Sequence, residues 1–306
     1  MPNSHDTTGS EHGIRVLFQA NAALGEGPIW DDRAGVLYWV DIRKHRISRL
    51  DPRSRRQTGV WIMPKRVGCV GLTEAADTLV VGAGAAVFLL HLGNGKTDHI
   101  ATLPIETPRH RINDGRVDKA GRLWVGTMID DIHAPEAFHG GKLFRVSPCG
   151  EVWQAPGEFE LPNGMVWTDD DTSLLINDTT ARITYRYFFD SGSGHASDRD
   201  VFFDHSGRDG YPDGLSIDTE GCLWSAQWDG WNIRRISPDA ELLTEYRMPV
   251  RRPSSATFFG ESLDRIAITS ATVDFSTDDF LQSPDAGAIF EMEASGATGR
   301  PENRFG

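Results

Sequence analysis

Four short stretches of this chain place an acid or an amide directly before a glycine at the start of an apolar run. They are LGEGPIW with Glu26, RINDGRVD with Asp114, LPNGMVW with Asn163 and YPDGLSID with Asp213. One Asp or Asn before Gly is ordinary turn chemistry. Its recurrence ahead of the same kind of strand in distant parts of the chain is not demanded by turns. Glu26, Asn163 and Asp213 together offer two negative charges and one neutral carbonyl oxygen, a set suited to a divalent cation that takes oxygen ligands. Three protein ligands leave coordination positions open for water or substrate, as metal-assisted hydrolysis requires. The expected cofactor is one divalent ion, and the donor types leave calcium, zinc, manganese, magnesium and ferrous iron open.

For residues so far apart to meet, the fold must bring equivalent loops to one place, and the chain repeats itself in a way that does this. The fragments VLYWVDI (36–42), TLVVGAG (78–84), RLWVGTM (122–128), SLLINDT (173–179), CLWSAQW (222–228) and RIAITSA (265–271) recur at intervals of about 42 to 51 residues. That is the period of propeller blades. About ten residues before each fragment a short apolar strand begins (GPIW, GLTE, GRVD, GMVW, GLSI, SATF), and the turns DDRAG, EAAD, DKAG, DDDTS, DTEG and GESLD fall between the two. Such turns suit tight hairpins. The predicted fold is all-β, a six-bladed β-propeller of four-stranded antiparallel blades. The last repeat supplies only three strands, ATFF, RIAITS and AIFEME. IRVLFQA at residues 14–20 is expected to provide the fourth and close the ring, which removes the unpaired edges an open ring would leave. Blades around an axis gather their equivalent loops at one mouth, so Glu26, Asn163 and Asp213 should converge there. Residues 1–13 read as a polar, disordered tail and 14–306 as a single domain. The longest insertions are 128–141, 189–212 and 271–287, where specificity is expected to reside.

Composition narrows the function classes. A net charge of −13 argues against nucleic-acid binding. The arginines at 53, 55 and 56 and at 251 and 252 read as solvated loops. Three widely spaced cysteines without a CxxC pairing favour a reducing, cytoplasmic setting over a disulfide scaffold. No run approaches membrane-spanning length, and no GxSxG marks a serine hydrolase. Trp30, Trp39, Trp124 and Trp224 sit in strand positions and read as blade packing. His110 reads as an ordinary surface or core histidine, and His133 and His139 lack a third histidine for a zinc triad. The expected partner is a small molecule, and the expected state a monomer or weak homo-oligomer.

In order, spacing and context, LGEGPIW, RINDGRVDKAGRLWVGTM, LPNGMVW, YPDGLSIDTEGCLW and PDAGAIFEME resemble the senescence marker protein, regucalcin and gluconolactonase family, from about residue 14 to the C-terminus. The resemblance implies a six-bladed propeller in which Glu26, Asn163 and Asp213 match the divalent-metal ligands. It also matches Arg111 and Asn113 to a substrate-binding pair and Asp213 to the general base. Asp131 falls where many members carry a substrate-contacting Glu, and Asp130 is an equally placed acid. The implied reaction is hydrolysis of sugar lactones, aldono-1,4- or 1,5-lactones, to aldonic acids. Whether Asp213 takes the proton from water or the cation alone activates it stays open. The alternatives are another propeller metal hydrolase of the arylesterase or phosphotriesterase type, and a non-enzymatic propeller that binds calcium or protein. YWVD (38–41) resembles the YWTD repeat of receptor propellers but occurs once, and Arg111, Asn113 and the acidic loop suit a polyhydroxylated substrate.

Overall fold

The structure, a computed structural model, describes residues 13–137 and 139–306. Six antiparallel sheets follow one another along the chain, and the first strands of neighbouring blades touch in a closed circle. Those inner strands are Gly25–Asp31, Val67–Thr73, His110–Val117, Pro162–Trp167, Tyr211–Ile217 and Pro253–Phe259. Val67–Thr73 and Pro162–Trp167 are buried along their whole length, as strands flanked on both faces by other blades must be. Outer strands keep a solvated side: Arg56–Ile62 and Leu242–Arg247 are largely exposed or half-buried. The predicted six-bladed all-β propeller is what the chain forms.

Ring closure follows the expected route. Arg15–Phe18 pairs antiparallel with Ile289–Glu293, so the outermost strand of the sixth blade comes from the N-terminal side of the first. Of the tail expected at 1–13, residues 1–12 lie outside the described residues. The C-terminus adds a feature absent from the sequence reading. Arg304–Phe305 pairs parallel with the inner strand of blade two, and Phe305 is buried in the core between blades two and three.

The turns between the first two strands explain two of the tryptophans. In DKAGRLW, Asp118 accepts from the backbone N–H of Ala120 and Arg122 and from the Trp124 indole N–H at 2.9 Å. DTEGCLW repeats this with Asp218, Glu220, Cys222 and Trp224. The carboxylate thus satisfies the turn and the buried indole together, and the four strand tryptophans are packed in the blades. Asp218, Glu220 and Cys222 stand close enough to suggest a metal cluster, but Arg235 already pairs with both carboxylates, so their charge is spoken for.

Two insertions differ from expectation. Much of 189–212 is strand: His195–Asp204 forms a long outer hairpin with Ile183–Asp190. Its turn is pinned by Arg122 and Arg145 of blade three, which donate to the carbonyls of Ser191, Ser193 and Gly194. The 271–287 insertion contains one helical turn and a half, Thr277–Gln282, closed by a capping box between Ser276 and Asp279. No helix among the described residues is long and apolar enough to cross a membrane.

Candidate active site

Every inner strand carries a register shift near its start, between Glu26 and Ile29, Ile112 and Asp114, Asn163 and Met165, Pro212 and Leu215, and likewise in the other two blades. A bulge breaks the strict alternation of a strand and re-aims the side chain beside it. Here the bulges lie at the acid–glycine and amide–glycine pairs. Gly164 has φ +48°, and a Cβ there would lie 2.5 Å from the Leu215 nitrogen, so only glycine fits this turn of backbone against the next blade. In blades one and four the loop feeding the inner strand is clamped by the acid that ends the second strand. Asp41 accepts from the N–H groups of Ala23 and Leu24, and Asp178 from those of Glu160 and Leu161. Two buried carboxylates therefore fix the approach to Glu26 and Asn163.

At this mouth lies a cavity of about 320 Å³, and Glu26, Arg111, Asn113, Asn163 and Asp213 all line it. All five are nearly inaccessible to solvent; Asp213 is 4% exposed. The amides form a chain with one direction. Arg111 Nη1 donates to Asn113 Oδ1 at 3.0 Å, Asn113 Nδ2 donates to Asn163 Oδ1 at 2.8 Å, and Asn163 Nδ2 donates to Thr179 Oγ1 at 2.9 Å. Because a guanidinium can only donate, this order sets both amide orientations and leaves Asn163 Oδ1 as an acceptor with a second lone pair. Arg111 is itself held by Asp130, whose Oδ1 accepts from Nε at 2.7 Å. Burial brings the Arg111 pKa down to about 10, against the pull of Asp130.

Glu26 and Asp213 are the electrostatic centre. Both carboxyls have pKa values raised well above the ordinary range, first by burial and then by neighbouring negative charge, Asp213 and Asp114 acting on Glu26 and Asp114 acting on Asp213. Asp114 is also raised by burial, although its oxygens accept from the N–H groups of Gly115 and Gly164. Among the described residues no Arg, Lys or His forms an ion pair with Glu26, Asp114 or Asp213. Two buried carboxylates in contact, beside a neutral amide oxygen and without a counter-charge, are a set that a divalent cation fits.

Behind the cavity a second buried chain ends on Asp213. Arg234 Nη1 lies 3.2 Å from His205 Nδ1, so that nitrogen is an acceptor and Nε2 carries the hydrogen it gives to Thr184 Oγ1 at 2.9 Å. Thr184 donates to Asn177 Oδ1 at 2.6 Å, and Asn177 Nδ2 donates to the Asp213 carbonyl at 2.6 Å. Burial, with the charge of Arg234 next, lowers the His205 pKa to about 3 and keeps the imidazole neutral.

The two loop acids part company. Asp130 is engaged by Arg111 and Arg66, whereas Asp131 is exposed, with its carboxylate accepting from the His133 N–H; its neighbour Ile132 lines the cavity. His110 Nδ1 donates to the Glu106 carbonyl at 3.1 Å and His110 does not line the cavity, nor do His133 and His139. Sequence reasoning did not single out Arg43, Thr179, Tyr211 or Trp228, all of which line it. The signal was available for three of them, since Arg43, Thr179 and Trp228 lie at or just past the end of a repeated second-strand fragment. An antiparallel second strand returns to the mouth where the first began. A larger cavity, about 580 Å³, opens at the opposite end, where Arg116, Arg300 and Arg304 are each paired with an acid, Glu302, Asp169 and Asp32.

Comparison with known proteins agrees with this architecture. Residues 24–272 match the family described as the SMP-30/Gluconolactonase/LRE-like region. The chain is 34% identical over 278 residues to a 6-deoxy-6-sulfogluconolactonase of Pseudomonas putida, covering 90% of this chain and 93% of that one. It is 33% identical over 296 residues to a pentonolactonase of Haloferax volcanii, covering 95% and 97%. Among solved structures, the calcium-binding protein regucalcin of Agrobacterium tumefaciens superposes with a TM-score of 0.89 at 27% identity, over 96% of this chain and 98% of the other. This chain belongs to the SMP-30/gluconolactonase family.

Proposed function

We propose that this protein is a metal-dependent sugar lactonase that hydrolyses aldonolactones to aldonic acids. The observation that carries the reading is the pair of buried, mutually repelling carboxylates, Glu26 and Asp213, at a cavity that also presents a fixed guanidinium and two oriented amides. Relatives named for a sulfogluconolactone and a pentonolactone support the substrate class. The calcium-binding regucalcin neighbour supports a divalent cation.

Glu26, Asn163 and Asp213 would hold the ion. When bound, a divalent cation supplies Lewis-acid polarisation of a carbonyl and lowers the pKa of water. Arg111 and Asn113 bind and orient. Asp130 holds Arg111 in one rotamer, and Arg111 holds Asn113, so a lactone meets donors whose positions are already set. Asp131 is the loop carboxylate left exposed, next to cavity-lining Ile132, Asp130 being occupied by two arginines, and the role proposed for it is to accept from a substrate hydroxyl at the rim. Asp213 takes the proton. With a cation offsetting the charge of its neighbour Glu26, Asp213 would stay ionised at neutral pH, and it lines the cavity where the water would stand. As water adds to the carbonyl carbon, an oxygen lone pair forms the new carbon–oxygen bond and one water proton passes to Asp213. The bond from that carbon to the ring oxygen then breaks with its electron pair going to the ring oxygen, which takes that proton back from Asp213 and leaves as a hydroxyl. The second water proton is released to solvent and the product is a carboxylate.

The test is a panel of pentono- and hexonolactones assayed by proton release, after chelation and after adding back single cations. Activity that disappears on chelation and returns with one or more divalent ions is the expected result. Full activity after exhaustive chelation would remove the metal from the proposal, and inactivity on every lactone would remove the substrate class.

A further inference from the structure

The protein as a whole is strongly acidic, yet one wall of the active cavity carries positive charge. Arg43 and Arg111 both line it, and the charges of Arg43 and Arg66 bear on Arg111. One carboxylate, Asp130, serves both Arg66 and Arg111. Arg43 is half-buried, lies two residues past the end of the second strand of blade one, and pairs with no acid among the described residues.

The nearby acids are already committed. Asp41 faces the side chains of Lys44 and Arg46 and accepts from three backbone N–H groups, those of Ala23, Leu24 and Lys44. Asp229, which lines the cavity together with Glu26 and Asp213, is paired with Arg251 and Arg252. An unpaired guanidinium beside a second guanidinium is unfavourable unless something negative comes between or beside them. Leu24, Ile42 and Met128 line the same cavity and offer Arg43 no acceptor from their side chains. The cavity is therefore polar in a second sense: its carboxylates call for a cation, and the Arg43 wall calls for an anion.

We propose that Arg43 binds an anionic group at the end of the substrate remote from the reacting carbonyl, so that the preferred substrates are sugar lactones carrying a terminal sulfonate, carboxylate or phosphate. This rests on the lactonase reading. The lactone carbonyl lies toward Glu26 and Asp213, and the terminal anion takes the charge-assisted hydrogen bonds that Arg43 lacks inside the protein. Arg43 acts on specificity and takes no proton.

The experiment compares lactones of one ring size and stereochemistry that differ only at C6: glucono-1,5-lactone, its 6-phosphate, its 6-deoxy-6-sulfonate and the corresponding glucarolactone. At low ionic strength at least one anionic lactone should exceed the neutral one in kcat/KM by about ten- to hundredfold, the range of one charge-assisted contact. Added salt should shrink that ratio. Arg43→Gln should collapse the ratio, and Arg43→Lys should keep part of it because the charge remains while the planar fork is lost. The three anionic arms identify which group the site takes. A neutral lactone turned over as well as every anionic one, or a ratio unchanged in Arg43→Gln, would overturn the assignment while leaving the lactonase reading intact. Failure of all four lactones would instead overturn the reading beneath it.

Discussion

Glu26→Gln offers a test of the site that does not depend on substrate. Without a cation, Glu26 and Asp213 are buried against one another near Asp114, and both have raised pKa values, caused first by burial and then by negative neighbours. A carboxyl whose folded-state pKa lies above its unfolded value binds its proton more tightly when folded. Its contribution to stability is therefore greatest at low pH and is lost as pH rises from the ordinary carboxylate range through the raised folded value. Two unit charges about 4 Å apart at an effective dielectric of about 20 interact by about 4 kcal/mol, which bounds the repulsion because the pair can instead retain a proton. Gln keeps the shape and removes the charge. The chelated variant should therefore be more stable than the chelated parent near neutral pH by about 1–4 kcal/mol, a few degrees in Tm for a chain of this size. The difference should vanish at low pH, where the parent carboxyls are protonated. At a free cation concentration of about 100 times Kd the parent should regain about 2.7 kcal/mol, and the variant less because its site has lost a charge. Scanning calorimetry of both proteins from pH 4 to 8, with chelator and with single cations, reads the whole pattern. A chelated Glu26→Gln less stable than the parent at neutral pH would mean that a protein group already compensates Glu26, and the cation argument would fail.

Three further outcomes follow from the same contacts. Asp213→Asn keeps a carbonyl oxygen for the ion but no basic site, so with occupancy checked independently kcat should fall by roughly 10²–10⁴-fold, and near-normal turnover would eliminate this carboxylate as the base. Asn177→Ala leaves the Thr184 hydroxyl and the Asp213 carbonyl without their shared partner, at a cost of about 1–3 kcal/mol per buried group; if the chain positions Asp213, kcat falls with KM little changed, whereas a lower Tm with intact kinetics marks a structural role alone. Truncation after Pro301 removes Glu302, the partner of half-buried Arg116, together with the strand that holds Phe305 in the core, and chemical denaturation should show a loss of about 3–5 kcal/mol, carried mainly by the emptied Phe305 site.

The blade plan was legible because it depends on local pattern. Alternating apolar residues, turn acids before glycine and a fixed repeat each act within one hairpin, and the missing fourth strand of the last repeat pointed to residues near 14–20 because a ring cannot close without it. The meeting of Glu26, Asn163 and Asp213 at one cavity was legible for the same reason, since equivalent positions of a repeat share a mouth. What stayed hidden depends on contacts between blades or on side-chain direction where alternation breaks. Asp130 and Asp131 are neighbours in sequence, yet one faces Arg111 and the other solvent, and only the loop geometry after Ile129 decides which. The strand His195–Asp204 reads as a polar insertion because it lies on an exposed blade edge, and the arginines that fix its turn come from another repeat. Phe305 belongs to a two-residue strand with no periodicity to display.

The same distinction separates the floor of the cavity from its wall. The floor of the cavity is built from repeat-equivalent positions, each aimed by a bulge in an inner strand, so a reading of motifs reaches it. Its wall is built from residues at or just past the ends of second strands, where Arg43, Met128, Thr179 and Trp228 differ in size and charge although they occupy related places. A rigid floor that sets the chemistry and a variable wall that sets the partner is the division expected when loops are carried on a closed scaffold. The unpaired charge on that wall is therefore where the proposed preference for an anionic lactone stands or falls, independently of the carboxylates on the floor.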